Sequence, residues 1–225
     1  MIRKALLLLA AFAFVVSAHA QYSVYGTVTL DHLTGIASSP VLNTLSPPPC
    51  TAAESTTPSA TCTAYRNSVD PIGFTGGAGY DFKNFGPITL GADLRGVVES
   101  AKQGAQTYSR GAGTRIYSGL GGIRVTFHTP VRFLLPYVEG AAGYGRSNYG
   151  VLTNAQISSS TTYPGVATQN NLEYHAFAGI DLKVLPVLDY RVEVGYGALQ
   201  ELGSFSHTYP LYSVSTGLVL HFPPR

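Results

Sequence analysis

Of 225 residues only 12% are charged, against about 25% in an ordinary soluble domain, while 25 glycines and 15 tyrosines are abundant and tryptophan is absent. Without Arg3 and Lys4, 12 basic residues face 12 acidic ones, which removes the electrostatic case for a nucleic-acid partner. The remaining length suffices for one domain, and nothing in it marks an internal division.

Residues 1–20 read as a secretory signal: Arg3 and Lys4 form the basic end, an apolar run follows from Ala5 to Val16, and Ala18-His19-Ala20 precedes Gln21. The mature chain is expected to begin at Gln21 and to form one domain over 21–225. The apolar run is short of the roughly 20 residues a membrane-spanning helix needs, and no later stretch reaches that length without a charge or a glycine cluster. A membrane crossing would therefore use strands.

Alternation of apolar residues with small or polar ones marks a strand between two environments. It predicts strands at Tyr22–Asp31, Ile72–Phe82, Ile88–Glu99, Arg115–Phe127, Leu134–Arg146, Leu172–Leu182, Leu188–Ala198 and Tyr212–Phe222. Between the first two lies a long connection, residues 32–71, carrying Pro47-Pro48-Pro49, many Ser and Thr, and both cysteines. In an exported chain Cys50 and Cys62 read as a disulfide, with two free thiols as the other possibility. The later connections alternate short and long, so long ones gather at one rim and short ones at the other.

In Leu188–Ala198, Leu188, Tyr190, Val192, Val194 and Tyr196 oppose Asp189, Arg191, Glu193, Gly195 and Gly197. One face takes every charge. On the apolar face aromatics sit at strand ends, Phe74, Tyr117, Tyr144, Tyr174, Tyr196 and Tyr212 toward the long-connection rim and Tyr22, Tyr80, Phe82, Phe127, Tyr190 and Phe222 toward the other. Two aromatic belts around an aliphatic band match the two headgroup levels of a bilayer, whereas a lipocalin-like ligand cavity has no reason to be banded. The expectation is an all-β, eight-stranded antiparallel up-and-down transmembrane β-barrel with its apolar face to lipid.

The polar face then lines the lumen with Asp93, Arg95, Glu99, Arg124, Glu139, Glu173, His175, Asp181, Asp189, Arg191 and Glu193, and its glycines suit so narrow an interior. Unpaired charge there costs several kcal/mol, so Arg95, Arg124 and Arg191 are expected to pair with some of Asp93, Glu139, Glu173 and Glu193. That network is either a structural plug or a narrow gated ion path. His175 beside Glu173 and Glu193 is a weak metal signal; a hydrogen-bonding histidine is the ordinary reading, and no metal or cofactor is expected. Ser206, His207 and Glu201 invite comparison with a lipid-modifying hydrolase, without a visible orienting frame.

The whole mature chain resembles the small outer-membrane β-barrel family typified by the outer-membrane protein A transmembrane barrel, with porin-like relatives. The resemblance rests on Gly76-Gly77-Ala78-Gly79-Tyr80-Asp81-Phe82, on Val192-Glu193-Val194-Gly195-Tyr196, and on the closing Val214-Ser215-Thr216-Gly217-Leu218-Val219-Leu220-His221-Phe222. It implies a non-enzymatic protein of the bacterial outer membrane, surrounded by outer-membrane lipid and lipopolysaccharide. It also implies recognition by the barrel-assembly machinery through Leu218, Leu220 and Phe222, although Pro223-Pro224-Arg225 departs from the family pattern. The extracellular connections are where an outside partner would be met, and the sequence names none.

Overall fold

The computed structural model describes residues 21–36, 67–102, 113–131, 133–152, 166–202 and 207–223. The signal segment, Cys50, Cys62 and Ser206 lie outside them. The strands are β1 (Gln21–Thr34), β2 (Ser68–Val69), β3 (Ile72–Asn84), β4 (Ile88–Ala101), β5 (Thr114–Phe127), β6 (Leu134–Leu152), β7 (Val166–Leu185), β8 (Leu188–Glu201) and β9 (Thr208–Phe222). In the order β2-β1-β3-β4-β5-β6-β7-β8-β9 each pairs antiparallel with the next, and β1 also pairs with β9, from Tyr22↔Phe222 to Leu33↔Leu211. The eight long strands thus close into an up-and-down barrel; the two-residue β2 adds a short ladder on the end of β1.

Each predicted strand is present, and most run a few residues further at the long-connection end. The largest differences are β6, which continues from Arg146 to Leu152, and β7, which begins at Val166 rather than Leu172. Beyond the bilayer a paired strand needs no apolar face, so the alternation that identifies it stops before the ladder does. For the same reason the connection expected over 32–71 is shorter than that: β1 continues to Thr34, and Leu33↔Val69 and Thr34↔Ser68 pair its two ends. The gap between the last two predicted strands narrows likewise, because Ala198–Gln200 pair with Thr208–Pro210.

At the other end the hairpins are tight. Between β3 and β4, Gly86 has φ of +82°, a conformation glycine tolerates without a Cβ penalty, and its N–H donates to Asn84 Oδ1 at 2.7 Å.

The alternation resolves into inside and outside. In β1, Ser23, Tyr25, Thr27, Thr29 and Asp31 are buried, while Val24, Val28 and Leu30 are exposed. The same outward face carries Phe74, Leu94, Val98, Ile123, Val138, Val194, Val214 and Leu218, with Leu94 68% and Phe74 70% exposed. Continuous apolar surface on this scale has no stable place in water, and the charged interior excludes a lipocalin-like binder with an apolar cavity. From Tyr212 to Phe222 the outward face of β9 spans ten steps, about 25 Å along the axis for a strand tilted by roughly 40°. Aromatics pair across strands within the belts: Tyr196 and Tyr212 at 5.1 Å at one, Tyr22 and Tyr80 at 5.0 Å at the other.

Candidate functional site: the lumen

Three arginines stand at mid-height of the lumen. Arg95 on β4 donates to Asp93 (3.2 Å), to Glu139 on β6 (2.7 Å) and to Glu193 on β8 (3.0 Å). Arg124 on β5 donates to Glu139 and Asp93, both at 3.0 Å. One guanidinium thus ties three strands together across the barrel, and two carboxylates are shared by two cations.

Arg191 departs from the expected pairing. Its Nε and Nη2 hold Asp181 in a two-point bond of 2.7 and 2.8 Å, a carboxylate outside the expected set. The reason is register: Asp181 and Arg191 are directly opposite in the β7–β8 hairpin, and the neighbouring carboxylate wins over the more distant ones. Glu173, expected as an arginine partner, instead accepts from Ser118 at 2.8 Å and lies 3.5 Å from His175. Among the described residues His175 has no hydrogen-bond partner; its ring stacks on Phe177 at 5.3 Å with an interplanar angle of 4°.

Three inward aromatics complete the network, and sequence reasoning did not single them out. Phe177 lies under the Arg95 guanidinium at 4.0 Å, Tyr137 under Arg124 at 4.5 Å, and Tyr25 under Arg191 at 4.6 Å. The faces of these rings attract cations, and the hydroxyls of the two tyrosines meet the anions: Tyr25 donates to Asp93 at 2.6 Å and Tyr137 to Glu193 at 2.7 Å. Inward glycines supply the room. A Cβ on Gly77 would collide with the Tyr25 ring, on Gly179 with Tyr137, and on Gly195 with Phe177. The signal for these aromatics was parity, since each shares its face with polar neighbours.

Above the network, toward the long connections, Asp31, Glu99, Glu173 and His175 line a cavity of about 30 Å³ with Arg95 among its walls. That is room for about one water. The lumen then ends in a buried apolar cluster of Leu33, Ile36, Val69, Ile116, Leu199, Tyr209 and Leu211. Below the network the barrel opens into a wider vestibule of about 260 Å³, lined by Asp81, Lys83, Thr89, Thr126, His128 and Lys183. Near the short-turn ends of β8 and β9, Asp189 bonds His221 at 2.8 Å.

The hydrolase candidates are placed otherwise. His207 Nε2 lies 3.1 Å from the Gly35 carbonyl oxygen with its ring edge-on to Tyr209, and Glu201 accepts from Tyr209 at 2.6 Å. Both residues serve the apolar end of the lumen. Among the described residues no three His, Cys, Asp or Glu side chains gather to hold a metal. Leu218, Leu220 and Phe222, expected to carry an assembly signal, face outward on β9, and their strand forms the closing ladder with β1.

No protein-family model and no curated protein matches this chain. Solved structures do. The crystal structure of Neisserial surface protein A matches with a TM-score of 0.52 and 12% identity over 89% of this chain and 97% of that one. The outer-membrane protein OprG from Pseudomonas aeruginosa gives 0.49 and 12% over 90% and 96%. Ail, the attachment invasion locus protein of Yersinia pestis, gives 0.46 and 13% over 90% and 99%. At such identities the likeness is one of fold. That fold, similar to Neisserial surface protein A, is the closed eight-stranded antiparallel barrel of a small outer-membrane protein, with its apolar residues outside and its charges within.

Proposed function

We propose that the protein is an integral barrel of the bacterial outer membrane, a closed scaffold that presents its long connections to the outside and conducts nothing through its lumen. The observation that carries this reading is Arg95, which bonds carboxylates on β4, β6 and β8 and so spans the passage an ion would take. The apolar cluster around Leu33 and Leu199 supports it, because a hydrated ion has no partner there. In a barrel of this type short turns face the periplasm and long connections the exterior, which gives the connections the interactive role.

The test is electrical. The chain, refolded in detergent and verified by a shift in gel mobility on boiling, is inserted into a planar bilayer. No conductance steps are expected. Removing one partner of a buried ion pair costs about 3–5 kcal/mol, so Arg95→Ala should lower resistance to urea by about that much. Stable, recurring steps from the unmodified chain would instead favour a small pore gated by the same network.

A further inference from the structure

Among the described residues there are eight lysines and arginines: Arg95, Arg124 and Arg191 in the lumen, Lys83 and Lys183 at the short-turn end, and Lys102, Arg115 and Arg146 at the long-connection end. The last three are exposed and stand on, or directly after, neighbouring strands. Arg115 is the second residue of β5, Lys102 follows the end of β4, and Arg146 is on β6. Arg115 pairs with Ser100, two residues before Lys102, and Arg146 pairs with Tyr117, two residues after Arg115. Both neighbours are therefore diagonal to Arg115, about 7–8 Å away between Cα atoms.

None of the three forms an ion pair with a described residue. The acids described toward this end are elsewhere: Asp70 bonds His32 beside β1, Glu201 is buried with Tyr209, and Asp31, Glu99 and Glu173 are buried on the lumen side of the wall. Just below the cations, Tyr117 and Tyr144 point outward, half exposed, at the level where an amphipathic ring meets lipid headgroups. The patch thus has apolar surface beneath it, a ring at the boundary, and three unneutralised cations spaced for a phosphate to lie between two of them. Guanidinium groups bind phosphate oxygens through two parallel N–H bonds.

We infer that Lys102, Arg115 and Arg146 dock the phosphorylated headgroup of an outer-leaflet glycolipid whose acyl chains run down the wall over β4–β6. The inference rests on the outer-membrane reading above, which turns this rim outward. A lipid is favoured over a soluble anion because the cations sit on the lipid-facing side of the strands, continuous with the apolar band.

Native mass spectrometry tests it: the refolded chain in detergent is titrated with lipid A carrying both phosphates, and with the same lipid after dephosphorylation. A cation near a charged membrane surface contributes about 1 kcal/mol, so Arg115→Gln should weaken binding about fivefold and Lys102→Gln/Arg115→Gln/Arg146→Gln on the order of 100-fold. Lys83→Gln, at the opposite rim, should change nothing, and dephosphorylated lipid should bind the unmodified chain as weakly as phosphorylated lipid binds the triple variant. Equal affinity of the triple variant and the unmodified chain, or an equal loss in Lys83→Gln, overturns the inference while the heat-dependent mobility shift keeps the barrel intact. Loss of that shift in the unmodified chain overturns the barrel reading and the inference with it.

Discussion

A glycine in this wall means one thing inside and another outside. At Gly77 an added methyl group would strike the Tyr25 ring, whose hydroxyl holds Asp93, so the disturbance reaches the Arg95 network directly. At Gly26 nothing lies within 4 Å. Gly77→Ala should therefore cost about 1–3 kcal/mol, the usual range for an overpacked site, and Gly26→Ala should stay within about 0.5 kcal/mol of the parent. Urea titration of both variants in lipid vesicles checks this; equal stabilities would mean that the lumen repacks around the extra group. At this scale the sequence was partly legible. Charges at alternating positions announced the lumen because none stood opposite them within the apolar band between the two aromatic belts. The set of carboxylates that meets Arg95 and Arg124 was legible, but not which one each takes, since the Arg95–Glu193 bond depends on how far strands tilt around a closed barrel, and no local pattern encodes that. Asp181 and Arg191 were nearer to hand, being opposite in one hairpin.

Strands were the legible elements, because period-two alternation survives wherever one face meets lipid and the other meets water or charge. Their outer ends were not, for there both faces are wet and the pattern has no reason to persist. The buried cluster at the long-connection end was hidden for a related reason: Leu33, Ile116, Leu199 and Leu211 are apolar residues on the polar face, which breaks the alternation where it matters. The last strand carries the prediction that belongs to this scale. Phe222 ends β9 opposite Tyr22, at the start of the closing ladder, and is 54% exposed. Phe222→Ala removes no lumen contact, so the finished barrel should keep its mobility shift while insertion slows. Membrane-inserted fraction against time, with and without barrel-assembly machinery, separates the two. An equal slowing without the machinery would assign Phe222 to the ladder and not to recognition.

For the whole molecule, composition and banding told the orientation: twelve per cent charge cannot cover a soluble surface, and the structure gathers much of that charge inside. What composition could not tell is that the interior is layered, with a wide vestibule at the short-turn end, then the arginine network, then a cavity of about 30 Å³, then an apolar end. Layering depends on which heights inward residues of different strands share, and that is a property of closure.

Closure has one more consequence. β1 and β9 pair continuously from Tyr22 to Leu33, as the strands of a hairpin do, and Gln21 Nε2 donates to the Pro223 carbonyl at 3.2 Å, so the two ends of the described barrel touch. Topologically the eight strands form a ring in which no strand is first. A chain rejoined by a short linker from residue 223 to residue 21, with new ends opened at Gly86 in the β3–β4 hairpin, should reach the same barrel and the same mobility shift on boiling. If it does, the order of strands along the gene is a matter of history and delivery; if it does not, the seam is where folding must finish, and the ring has a direction in time that its geometry lacks.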